Sequence, residues 1–219
     1  MSSMEAGPDE GPAFVAPDVP DDAALWLVRH GETEWSASGR HTGVTDLALT
    51  PSGRRQAEAV RDVLGDLRPA LVLSSPRSRA LETAELAGLP VDDVTADLAE
   101  WDYGDYEGKT TAEIREHVPG WTLFDDGVPG GETSVQVGAR ADRVLTRAAA
   151  ALADGPVVLV GHGHFSRVLG ARWIGLPVSG GANLLLGTAA PSRLGAQYGV
   201  PVIHRWNLPN PAAQEEDGR

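Results

Sequence analysis

Three short apolar runs constrain this chain most: residues 24–28 (ALWLV), 70–74 (ALVLS) and 157–161 (VVLVG). Each is too short for a core helix and almost uniformly apolar, as expected of a strand buried on both faces of a sheet. Helical spacing fills the intervals. Thr50 is placed as an N-cap with Pro51 at the first helical position, and Ala57, Val60, Leu64 and Leu67 follow on one face. Further helices are expected over 77–87, over 134–153 (Val137, Ala141, Val144, Ala148, Leu152) and after His162 (Phe165, Val168, Leu169, Trp173), with a short one over 111–117. Near the end, NLLLGT (183–188) and GVPVIHRW (199–206) read as strands. Strands alternating with helices imply an α/β fold, a three-layer sandwich with a central, mostly parallel β-sheet flanked by helices.

The 219 residues suffice for one domain with a substantial core. Net charge is −13, which argues against a nucleic-acid partner. Six of the 31 acids lie in residues 1–22 with no base, and three more with one base in 209–219. The body of the chain is therefore closer to balance, with 22 acids against 17 bases. Both ends are rich in Pro, Gly and Ala, so 1–22 and 209–219 are expected to be flexible acidic tails around a domain at 23–208. With no cysteine, neither disulfides nor thiolate metal sites are available. No apolar run has the length of a membrane span, and MSSMEAGPDEGPAF lacks the basic and apolar regions of a leader. The expectation is a cytoplasmic protein without a membrane partner.

In a parallel sheet with right-handed crossovers, the C-terminal ends of the strands share one edge. The first run is followed by Arg29 and His30, the second by SSPRSRALETA with Arg77 and Arg79, and the third by His162 and His164 in GHGHFSR. Glu100, in VTADLAEWDYGDYEG, stands where another strand could end. Any one of these has a bland explanation as a surface cation or a loop histidine; their recurrence at equivalent places does not. Guanidinium forks match phosphate oxygens, and neutral imidazole is a nucleophile near neutral pH. Glu100 is the one obvious carboxylate in the set to serve as general acid. The chemistry indicated is phosphoryl transfer to histidine, without a metal or other cofactor. The HGH pair could be read as metal ligands, but flanking arginines would repel a dication.

LVRHGETEW resembles the signature of the histidine phosphatase superfamily, in its phosphoglycerate-mutase-like branch. GRHTGVTDLALTPSGRRQA, SSPRSRALETA, AEWDYGDYEG and VGHGHFSR follow in that family's order and spacing, over about 24–176. The resemblance implies a phosphoglycerate-mutase-like fold, with His30 as the nucleophile that becomes phosphohistidine. It implies that Arg29, Arg79 and His162 hold the phosphoryl group and that Glu100 donates the proton. Ser36, Thr42, Gly43, Tyr103, Gly163 and His164 match positions on the substrate side. Arg77 is left between substrate contact and surface, and Trp35 and Trp101 are expected as pocket walls.

The motifs EWDYGDYEG and HGHFSR are most similar to acid phosphatases and sedoheptulose-bisphosphatase-like members. A phosphatase acting on a small phosphorylated substrate is therefore expected ahead of a phosphoglycerate mutase. Family mutases carry a longer segment between the proton donor and second histidine than the 62 positions here, and place Asn where this chain has Ser36. A non-catalytic phospholigand-binding module would have lost His30 or Glu100, and both are present. Residues 110–131 are expected to roof the pocket, and a homodimer is left open.

Overall fold

The computed structural model describes residues 19–214. In chain order the elements are β1 (Leu25–Arg29), α1 (Glu34–Ala37), α2 (Pro51–Leu64), β2 (Leu71–Ser74), α3 (Ser78–Leu86), β3 (Asp93–Val94), α4 (Thr111–Arg115), α5 (Leu123–Asp126), α6 (Ser134–Ala151), β4 (Val157–Gly161), α7 (Gly163–Trp173), β5 (Pro191–Gln197), β6 (Val200–Arg205) and α8 (Pro211–Gln214). The six strands form one sheet in the order β3-β2-β4-β1-β5-β6. Pairing is parallel from β3 to β1, and antiparallel from β1 to β5 and β5 to β6. The expected sandwich around a mostly parallel sheet is therefore the fold.

Alternation along the strands makes the two cores. Leu25, Leu27, Leu73, Val157 and Leu159 face α6 and α7, meeting Val137, Val144, Phe165 and Trp173. Val28, Val72, Val158 and Val160 face the other way, onto Val60 of α2 and Ala80 and Ala84 of α3. Helix ends follow from local chemistry. Thr50 caps α2 through the Gly53 N–H at 2.9 Å, and Thr133 and Gln136 form a capping box at the start of α6. Gly65 stops α2 after Leu64, so Leu67 lies in the connection rather than on the helix.

Two expectations about the last third are corrected. Residues 183–188 form no strand: a 3₁₀ turn covers Val178–Asn183, and Leu185 points outward at 74% exposure. The strand beside β1 is instead β5, PSRLGAQ, whose Pro191, Arg193 and Gln197 hide it from an apolar-run criterion. Pro191 can begin it because the first residue of a strand can forgo one ladder bond. A two-residue turn with Tyr198 and Gly199 both at positive φ then leads to β6, as a tight hairpin requires.

The described parts of the presumed tails are docked. Val19 is buried, and Asp21 accepts from the Gly199 N–H at 2.9 Å. Asn210 is also buried and donates to the Gln56 and Ala189 carbonyls, both at 2.8 Å, fixing the start of α8. Residues 1–18 and 215–219 lie outside the described residues. Among the described residues no helix is long and apolar enough to cross a membrane.

Candidate active site

Strand register assembles the site. Arg29 pairs with Gly161 across β1 and β4, and Ser74 pairs with Val160 across β2 and β4. One residue further on, His30, Ser75 and His162 stand side by side at the same edge. The His30 N–H closes the ladder on the Gly161 carbonyl at 2.9 Å, and Ser75 does so on Val160 at 2.9 Å. The two imidazoles are 5.2 Å apart between centroids, inclined at 63°.

His30 is buried, and its Nδ1 lies 2.7 Å from the Gly31 carbonyl, which can only accept. The ring proton therefore sits on Nδ1 and Nε2 carries the lone pair. Burial above all, then the Arg29 and Arg79 cations, hold its pKa well below the ordinary 6.5, against the opposing pull of the Gly31 carbonyl. His162 is lowered in the same way, by burial first and then by His30 and the arginines. Its Nε2 meets the Ser75 hydroxyl at 2.7 Å, and that oxygen also accepts from the Arg77 N–H at 3.3 Å. Both rings are thus fixed and neutral at neutral pH.

Cations surround them. Arg29 donates from Nη1 to the Leu186 carbonyl at 2.6 Å. Gly163 packs so closely on Arg29 that a Cβ there would sit 3.2 Å from its guanidinium carbon. Arg79, on the first turn of α3, is wholly buried and donates to the carbonyls of Thr45 and Thr42 at 2.9 and 3.1 Å. Glu107 shapes that loop by accepting from the N–H groups of Gly43 and Thr45. Arg29 Nε, Arg79 Nε and His162 Nδ1 are buried without any partner among the described residues. Such orphaned donors at one strand edge are expensive unless an anion completes them.

Glu100 follows β3 by way of a 3₁₀ turn, Ala96–Leu98, rather than ending a strand. Its Oε1 accepts from the N–H groups of Trp101 at 2.9 Å and Phe165 at 2.8 Å, and its Oε2 accepts from His164 at 3.0 Å. Oε1 is therefore filled, and the carboxylate also interacts with the Tyr103 hydroxyl. Arg140 of α6 locks this segment. It donates to the carbonyls of Asp97, Ala99 and Glu100 and is bridged to Glu132 at 2.7 Å. Tyr103 is bonded to His164 Nδ1 at 2.6 Å, and burial and the neighbouring Glu100 charge raise its hydroxyl pKa well above 10. His164 is lowered well below 6.5 by burial, then by Arg167 and His41.

These groups open onto a cavity of ≈ 180 Å³. Of the residues expected from sequence, Arg29, His30, Ser36, Thr42, Glu100, Tyr103, Gly163 and His164 line it. Arg79 and His162 stand behind that lining, buried beside His30. Ser36 is there, but its hydroxyl is engaged with Thr33 in the cap of α1. Gly43 is not a wall: its N–H serves Glu107 and its carbonyl receives Arg79 at 3.4 Å. Arg77 is a half-buried N-cap of α3 outside the cavity. Trp35 and Trp101 are corrected too. Trp101 is wholly buried and donates to the Glu132 carbonyl, while Trp35 packs over Gly108. Of residues 110–131, Thr111 lines the cavity.

Arg40, His41, Arg167 and Leu186 line the cavity without having been singled out in the sequence. Arg167 lies inside GHGHFSR, and its helical offsets of four and three from Gly163 and His164 were the available signal. Leu186 acts through its backbone and has no side-chain signature. Among the described residues no three His, Cys, Asp or Glu side chains cluster as a metal site would require.

The profile of the Histidine phosphatase superfamily (branch 1) matches residues 25–209. An acid phosphatase of Mycobacterium tuberculosis is 48% identical over 178 residues, spanning 80% of this chain and 88% of its own. A sedoheptulose 1,7-bisphosphatase of Saccharomyces cerevisiae is 37% identical over 185 residues, spanning 69% of this chain and 68% of its own. The solved structure of an open reading frame product from Mycobacterium tuberculosis superposes with a TM-score of 0.84 at 45% identity, covering 86% of this chain and 99% of that one.

Proposed function

The chain belongs to branch 1 of the histidine phosphatase superfamily, and on that premise we propose that it hydrolyses small phosphomonoesters through a phosphohistidine on His30. The observation that carries this reading is the His30 tautomer. With Nδ1–H committed to the Gly31 carbonyl, Nε2 is the free nucleophile, set among the orphaned donors of Arg29, Arg79 and His162.

Nε2 attacks phosphorus in line with the leaving oxygen, forming the P–N bond as the P–O bond breaks. The guanidiniums and His162 hold the equatorial oxygens, where charge gathers in the transition state. Among the described residues His162 Nε2 is the one acceptor within reach of the Ser75 hydroxyl, the Arg77 N–H being a donor, so Ser75 gives its proton to His162 Nε2. His162 then carries its ring proton on Nδ1 and is a donor to phosphate. Glu100 Oε2, which accepts one backbone N–H where Oε1 accepts two, carries the proton that passes to the leaving alkoxide. In the second half, Glu100 takes a proton from water, whose oxygen attacks phosphorus. The P–N bond breaks, releasing orthophosphate and restoring neutral His30. Asp102 and Glu107, the neighbouring acids, are bonded to the N–H groups of Gly104 and Gly43, and neither lines the cavity. Arginines supply the positive charge, so the reaction is proposed to need no metal.

Hydrolysis rather than mutase transfer fits the short interval from Glu100 to His162 and the resemblance to phosphatases. The test is rapid quenching with a phosphorylated substrate. Acid-labile, base-stable label should map to His30 and vanish in His30→Ala. Label on His162, or label surviving that substitution, overturns the reading.

A further inference from the structure

Strand ends place His30 and His162, but Glu100 lies outside that frame. It follows β3 through the 3₁₀ turn Ala96–Leu98, and residues 99–103 belong to no strand and no helix. One side chain of α6 and its acidic partner hold them instead. Arg140 Nη1 donates to the carbonyls of Asp97 at 2.8 Å and Ala99 at 2.7 Å. Nη2 donates to the Glu100 carbonyl at 3.3 Å and to Glu132 Oε2 at 2.7 Å. Nε donates to Glu132 Oε1 at 3.0 Å. A guanidinium has five N–H bonds, and all of them are used.

Glu132 completes the clamp on the far side of Glu100. Its N–H donates to the Asp102 carbonyl at 3.0 Å, its Oε2 accepts the Asp102 N–H at 3.0 Å, and its carbonyl accepts the Trp101 indole N–H at 2.9 Å. Glu100 is thus gripped through the residues before it and after it. The Arg140 guanidinium carbon also lies 4.2 Å from the centroid of the Phe165 ring, and the Phe165 N–H is one of those that hold the Glu100 carboxylate. Arg140 is itself buried and lines no part of the cavity, so it does not touch a substrate bound there. Stability alone accounts poorly for the pair, because charges withdrawn from water gain little over an apolar pair of similar size. An apolar pair could not supply a rigid planar fork that fixes three carbonyls of one irregular segment.

We propose that Arg140, held by Glu132, is a positioning residue for the proton donor: it fixes the segment from which Glu100 reaches the leaving oxygen, and it acts on leaving-group departure rather than on phosphate binding. This rests on the phosphatase reading and adds to it the residue pair on which the aim of the donor depends. Displacing a reacting group by about 1 Å can slow a reaction on the order of 100-fold. Among the described residues, Arg29, Arg79 and His162 make no hydrogen bond to either member of the pair, so the phosphate clamp is held independently.

The experiment compares Arg140→Gln with wild type in the full chain. Single-turnover transfer is followed from 4-nitrophenyl phosphate, whose leaving group needs little protonation, and from phenyl phosphate, whose leaving group needs more. The phenyl rate should fall about 10-fold further than the 4-nitrophenyl rate, a part of what a general acid contributes. Added to Glu100→Gln, the same substitution should change little, because the donor it aims is already gone. Inhibition by orthophosphate, which calls on no proton donor, should stay at the wild-type level. Equal losses with both esters, an undiminished loss in the Glu100→Gln background, or weakened inhibition by orthophosphate overturns the inference. Amide exchange followed by NMR gives a reading that needs no substrate. In Arg140→Gln the N–H groups of Trp101 and Asp102 should exchange about 10-fold faster or more, while those of His30 and Ser75 at the sheet edge keep their rates. Unchanged exchange at Trp101 and Asp102, or an acceleration shared equally by His30 and Ser75, is equally fatal. If wild type hydrolyses neither ester, it is the phosphatase reading that fails, and exchange alone decides on the clamp. If Arg140→Gln does not fold, Arg140→Lys, which keeps the charge with three donors in place of five, is judged by the same outcomes.

Discussion

Keeping two histidines neutral in a buried site makes the fold sensitive to acid, and the size of the effect can be worked out. His30 and His162 are buried and held well below 6.5 in the native protein, while in the unfolded chain they titrate near the ordinary value. As pH falls below about 6.5, the unfolded state takes up protons that the native state refuses, so stability falls with falling pH. Between pH 7.5 and 5.5 each such histidine costs about 1.4 kcal/mol, and the two together about 3 kcal/mol. Half-buried His164, also lowered, adds to the loss. That is a large share of a typical 5–15 kcal/mol domain stability. The lowered carboxylates Asp97 and Glu113 act in the same direction, but only near and below their ordinary values of 3.8 and 4.5, under this window. The assay is urea unfolding at several pH values from 7.5 to 5.5, for wild type and His30→Gln. The variant should lose about 1.4 kcal/mol less than wild type across the window, whatever its stability at pH 7.5. A wild-type stability that is flat to pH 5.5, or equal acid losses in both proteins, would refute the reasoning. Over the same range His30 keeps its lone pair, so phosphoenzyme formation should persist in mild acid even as the fold weakens.

Arg79→Lys should lower kcat/KM by about 2 kcal/mol or more, roughly 30-fold, because an ammonium cannot serve the Thr42 and Thr45 carbonyls and a phosphate at once. Near-wild-type efficiency would remove Arg79 from the site. Glu100→Gln should slow single-turnover transfer from an alkyl phosphate far more than from an aryl phosphate, whose leaving group needs little protonation; equal losses would disqualify Glu100 as the donor. Extensive chelation should leave turnover intact, and a loss restored by one divalent metal would contradict an arginine-based site.

What was legible in the sequence divides along physical lines. Buried parallel strands show as apolar runs, and the residues that follow such runs sit at the sheet edge by geometry. Arg29, His30, His162 and, in the first turn of a helix, Arg79 could therefore be found in advance. β5 could not, because an antiparallel strand that keeps Arg193 half-buried carries no uniform apolar run. Trp35 and Trp101 misled because an aromatic beside a motif can face either way: the 3₁₀ turn before Glu100 rotates Trp101 into the core. Arg140 looks like any polar residue on a long helix, and only the folded structure shows it clamping three carbonyls around Glu100.

Register links the fold to its chemistry. In β1 the alternation of Leu25 and Leu27 with Trp26 and Val28 is enforced by two different cores, so a slip of one residue would exchange every inward side chain. The same slip would carry His30 away from Gly161 and leave its N–H without the ladder bond that now ends at that carbonyl. The hydrophobic energy that fixes the strand thereby fixes His30 against His162. The Arg167 side of the cavity has no such frame. Arg167 is placed by two carbonyls of a 3₁₀ turn and by an aromatic ring of the short helix α5. Those elements can change without disturbing the sheet edge. The cavity wall can therefore change through 110–131 and 178–186 while the strand ends that carry His30 and His162 stay as they are.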